Sequence, residues 1–98
     1  MDFRLFLTDI EFIAKQRPLW DQWTGDNEEL IDLEHEGGFT INLAGAPRIG
    51  ERIGVSSNDV YVVFEVVRLT WSATVDDESG KAVETPPHEV EARIVRIV

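Results

Sequence analysis

Cysteine is absent from this 98-residue chain. That excludes disulfides, thiol nucleophiles and thiolate metal sites, and it fits a reducing cytoplasm. No apolar run is long enough to span a bilayer. The opening Met1-Asp2-Phe3-Arg4 lacks the basic start and continuous apolar core of a signal peptide, so a cytoplasmic location is expected. Basic residues are scarce: nine Lys and Arg stand against nineteen Asp and Glu, for a net charge of −10. Binding led by nucleic-acid phosphates needs the opposite sign, and anionic membrane surfaces are disfavoured for the same reason. Neither a nucleic acid nor a membrane is therefore expected as a partner. There is no internal repeat, and Gly50 and Gly54 precede no helix, so a phosphate loop lacks support.

The chain does carry β-strand periodicity. Its length suits one domain with a single core, and its hydrophobic fraction of 43% is ordinary for a globular chain. Phe39, Ile41 and Leu43 alternate with Thr40 and Asn42, the period of a half-buried strand. Pro47 to Glu51 marks a reversal, and Glu51 to Val55 reads as a short strand. Ser56-Ser57-Asn58-Asp59 is a polar turn. From Val60 to Trp71 the run is too long to be flat. Val60, Val62, Phe64 and Val66 share one parity, and Val67, Leu69 and Trp71 the other. A bulge at Val66-Val67 would turn both sets inward and leave Glu65, Arg68 and Thr70 outside. Asp76 to Lys81 forms a polar hairpin tip, and Thr85-Pro86-Pro87 lies outside any central strand. His88 to Val98 closes the sheet, with Val90, Ala92 and Ile94 inward and Arg93 outward.

The first third is less regular. Residues 2–14 read as one strand or two short ones, slipping register near Thr8 and Asp9. Residues 16–28 form a short helix opened by Pro18 or an irregular loop. Leu30 to Glu34 is expected as a strand with Ile31 and Leu33 inward. His35-Glu36-Gly37-Gly38 then supplies a hairpin turn, with the glycines taking the positive φ.

The candidate chemistry is sparse. A zinc site needs three or four convergent ligands. Glu34, His35 and Glu36 would alternate across a strand, and both His35 and His88 read as exposed turn residues. No carboxylate or imidazole is placed in an apolar pocket; Glu65 is expected on the outside. No enzyme activity, metal or cofactor is expected. Trp20 and Trp23 either plug the open end of a barrel or form a binding patch. The six carboxylates from Asp26 to Glu36, with no Lys or Arg between them, are either a solubilising edge or a dock for a basic partner. The candidate partner-binding residues are Trp20, Trp23, Glu28, Glu29, Asp32, Glu34 and Glu36.

Pro47-Arg48-Ile49-Gly50-Glu51-Arg52-Ile53, followed by Tyr61-Val62-Val63, Val66-Val67 and Val90-Glu91-Ala92-Arg93-Ile94, resembles a group of small uncharacterised bacterial proteins with a Pro-Arg-x-Gly-Glu turn between strands. That resemblance implies a small β-barrel and no known activity. A fainter pattern is similar to PilZ domains, barrels that bind cyclic di-GMP. Asp32 and Gly37 match their Asp-x-Ser-x-x-Gly element, while Glu34 replaces the Ser. The Arg-x-x-x-Arg element is missing, with Lys15 and Arg17 standing nearby, which implies a degenerate relative that has lost its ligand. The reading is an all-β, partly open antiparallel barrel of five or six strands, SH3-like or PilZ-like. Its expected role is a non-enzymatic protein-interaction module of a bacterium or phage, with a homodimer through an edge strand plausible on physical grounds. The alternatives are a PilZ-like ligand-binding barrel and an acidic inhibitor that mimics nucleic acid.

Overall fold

A computed structural model describes residues 1–98. The chain runs β1 (Asp2–Leu7), α1 (Glu11–Lys15), α2 (Arg17–Thr24), α3 (Glu28–Asp32), a 3-10 turn (Leu33–His35), β2 (Phe39–Asn42), β3 (Arg52–Ser57), β4 (Val60–Thr70), β5 (Ala73–Val75), β6 (Ala82–Glu84) and β7 (His88–Ile97). Five strands form one curled sheet in the order β2-β1-β7-β4-β3, and β5 pairs with β6 alone. The fold is all-β, a half-barrel, as the alternation implies. The expectation of wholly antiparallel strands needs one correction: β1 and β7 run parallel, Phe3 opposite His88 to Leu7 opposite Ala92. Local periodicity carries no information on the direction of a partner so distant in sequence.

The strand expected at Leu30 to Glu34 is instead helical. Asn27 caps α3, its side chain accepting from the Leu30 amide, and Leu30 and Leu33 are buried one helical turn apart. The hairpin turn expected at His35 to Gly38 is also corrected. Glu36 takes the left-handed conformation, with φ 66°, and Gly37 and Gly38 do not. Gly38 is small for a different reason: a Cβ there would stand 2.7 Å from the Arg4 side chain. Residues 2–14 contain one strand and then helix α1, and the ambiguous segment from 16 to 28 contains α2, opened by Pro18.

The bulge lies where the sequence places it. The β4–β7 register shifts between Val66 and Arg68, and Val67 is the extra residue. Val60, Val62, Phe64 and Val66 are all buried, and Leu69 packs inward. Val67 and Trp71 were expected inward and are exposed instead. Val67 is the unpaired bulge residue, and Trp71 lies beyond the end of β4. The core divides into two clusters. The larger contains Leu5, Ile13, Trp20, Trp23, Leu30, Leu33, Val62, Phe64, Ala92 and Ile94; the smaller contains Phe3, Val66 and Val90. Ile41 packs against both, whereas Leu43 and Leu69 join only the smaller one.

Phe64 lies at the centre of the larger cluster, fully buried and 5.9 Å from the Trp23 ring. Phe64→Ala should destabilise by about 3–5 kcal/mol through lost transfer energy and a residual cavity. Urea denaturation reads this directly, and a loss under about 1 kcal/mol would contradict the packing.

Candidate functional site

Helix α2 buries Trp20 and Trp23 completely. Their rings lie 5.0 Å apart, and the Trp23 Nε1–H donates to the Val55 carbonyl at 2.9 Å. Of the two readings of these residues, the structure favours the interior one over the surface patch: both fill the concavity of the sheet rather than an open end, because helical spacing turns them to the same buried side.

The acidic stretch is not one flat edge, because α3 and the 3-10 turn distribute it. Glu34 is engaged by Arg17, which donates from both terminal nitrogens, at 2.8 Å from Nη1. Asp21 also accepts from Arg17. Glu29 accepts from the Thr40 amide at 3.3 Å and stands 3.9 Å from Arg4. Glu28, Asp32 and Glu36 are exposed. Arg17, the cation nearest the PilZ-like element, is thus already neutralised by carboxylates. Hydrogen bonds from Arg17 hold the Glu34 carboxyl below its ordinary range; partial burial opposes this shift and the Arg17 charge assists it.

His35 is exposed, as expected. His88 is not: it is fully buried, and this is the residue that sequence reasoning missed. Its parity held the signal, since His88 alternates with the inward Val90, Ala92 and Ile94. The ring packs tilted against Trp71 and Phe3, with centroids 4.5 and 5.9 Å away. Its Nδ1 accepts from the Ser72 amide at 2.9 Å, and its Nε2 lies 2.6 Å from Glu84 Oε1. Since Nδ1 accepts, the ring proton sits on Nε2 and is donated to Glu84. Both nitrogens are thus committed, which leaves no free lone pair for a general base. The His–Glu pair is a brace.

What it braces is the β5–β6 hairpin. Every residue of β5 and β6 is exposed. Thr85 donates its amide to the Ser72 carbonyl, and the Thr85 and Thr74 hydroxyls lie 3.0 Å apart. A two-stranded hairpin that covers no core is marginal by itself. Here the base of the arm is fastened by His88, Trp71 and these bonds. The radius of gyration is 15.0 Å and the longest extent 52 Å, whereas a compact chain of this length would have a radius of about 12.6 Å.

The remaining surface offers shallow depressions of 190, 350 and 300 Å³. The first is lined by Asp9, Glu11 and Lys15 among others, and the third by Glu36, Glu89 and Glu91 around Phe6 and Leu7. No group of three or more His, Cys, Asp or Glu side chains converges to hold a metal ion. No helix is long and apolar enough to cross a membrane. Comparison of the chain with family models, curated proteins and solved structures finds no match.

Two measurements check this geometry. Glu84→Gln keeps an oxygen that accepts from His88 Nε2–H, so the arm should stay ordered. Glu84→Ala should speed amide exchange at Thr74 and Val83 while β4 and β7 amides are unchanged; equal exchange in all three proteins would contradict the brace. For Glu34, the folded-state value lies below the unfolded one, so its contribution is present at neutral pH and lost as pH falls through the folded value. Glu34→Gln should remove that component of acid destabilisation, read from denaturation midpoints between neutral and acid pH.

Proposed function

We propose that the chain is a non-enzymatic protein-interaction module whose contact element is the projecting β5–β6 arm. The supporting observation is the arm's unusual economy. Val75 and Val83 are 61% and 53% exposed on an element that adds nothing to the core, while Trp71 at its base packs on His88 and Phe3 and is 50% exposed. Buried His88 and its partners are spent on holding it in place. Exposed apolar side chains on an element braced at its base suit insertion into another molecule's surface. Asp76, Asp77 and Glu78 at the tip, against Lys81 alone, favour a partner of positive charge. Committed imidazole nitrogens and shallow depressions lend no support to catalysis.

The test is capture of a partner from a lysate of the source organism by the wild-type chain and two variants. Val75→Ser with Val83→Ser alters exposed positions and should leave the denaturation midpoint within about 0.5 kcal/mol of wild type. It should reduce the retained partner at least tenfold. Replacing Glu28, Glu29 and Glu36 by Gln should leave capture intact. A partner lost with the Gln variant and kept with the Ser variant would move the site to the acidic turn, and no specific partner for any of the three would overturn the module.

A further inference from the structure

We infer that the β3 edge is a self-complementary interface that pairs with the β3 edge of a second copy of this chain. Tyr61 and Val98 exchange both backbone bonds, at 2.8 and 3.0 Å, so Tyr61 faces β7. Alternation then turns Val60 and Val62 toward β3, where their partners are Ser57 and Val55. The residues between, Gly54 and Ser56, together with Arg52, therefore aim their N–H and C=O groups away from the sheet. All three are exposed.

The usual protections of an edge are missing here. The β3–β4 pairing runs in unbroken register from Arg52 to Ser57, without bulge, proline or lysine. The opposite edge is treated differently: β2 is four residues long, and the Glu29 carboxylate covers its Thr40 amide. The residues of β3 also suit a copy of themselves. An antiparallel two-fold centred on Gly54 sets Arg52 against Ser56, Ile53 against Val55 and Gly54 against Gly54. All outward-facing groups of both edges are used, forming about six backbone hydrogen bonds. Ile53 and Val55, both half-buried on the inner side, meet as β-branched pairs. Charge selects the same place. Each copy carries −10, yet β3 contains no carboxylate and its only charge is Arg52, which meets a serine. On the outer side Gly54 leaves room for Tyr61 to lie across it, since a Cβ there would fall 1.8 Å from the Tyr61 hydroxyl. The interface is independent of the arm and would hold if the arm bound nothing.

Sedimentation equilibrium of the purified chain should give twice the 11.1 kDa chain mass at high concentration. Amides of Gly54 and Ser56 should exchange more slowly as the dimer forms, while those of Thr40 and Asn42 should not. Ser56→Pro removes one outward donor, and Ser56→Arg keeps the backbone but sets like charge against Arg52; each should weaken the dimer at least tenfold with the monomer fold retained. If the proline variant unfolds, the arginine variant and the exchange data decide. A monomer at every concentration, or a dimer that survives Ser56→Arg without protection at Gly54, would overturn the inference.

Discussion

The packing of Trp23 into the concave face of the sheet is the contact on which the rest of the structure depends. A five-stranded sheet curled only halfway round has a second face to cover, and here α2 covers it. The Trp23 ring meets Phe64 on β4 and Trp20 on its own helix, while its N–H satisfies the Val55 carbonyl on β3. At the end of the helix Asn58 donates to the Gln22 and Trp23 carbonyls, and Gln22 donates back to the Asn58 carbonyl. One short helix thus holds the β3–β4 turn from two directions. Large aromatics supply this because each buries a wide apolar area with few rotatable bonds.

With the interior filled this way, the acidic character is confined to the outside. On the convex face Glu65 lies between Arg52 and Arg93, and Glu91 is 3.3 Å from Arg68. Pairs this exposed contribute little to stability, typically up to about 1 kcal/mol, so they order the surface more than they hold the fold. The polar group that matters to local shape is His88, whose two hydrogen bonds and aromatic neighbours fix where the arm leaves the sheet. Fold and proposed function thereby separate: apolar burial makes the half-barrel, and one satisfied buried histidine aims the projection.

The strands were legible where period-two alternation was uninterrupted, as in Phe39 to Leu43 and Val90 to Ile94, and the excess of inward residues in β4 announced its bulge. The helices were less so. Leu30 to Glu34 alternates as Ile31 and Leu33, but Leu30 and Leu33 share a helical face, and five residues are too few to separate the two periods. Asn27 at the cap was the deciding signal. The candidate site was mostly hidden. Trp20 and Trp23 drew notice as large aromatics outside a strand, yet whether they faced in or out depended on which elements surrounded them. His88 looked like a turn residue because Pro86 and Pro87 precede it. Its burial depends on β1, which places Phe3 opposite it across a parallel pairing that no local pattern encodes.

The most direct test of the central claim is acrylamide quenching of tryptophan fluorescence in the Trp71→Phe variant, whose remaining indoles are Trp20 and Trp23. If α2 fills the half-barrel, emission should be blue-shifted and nearly insensitive to quencher until the chain is denatured, with wild type showing one additional accessible component from Trp71. Native-state quenching of the variant as strong as in denaturant would place Trp20 and Trp23 in solvent and contradict the account.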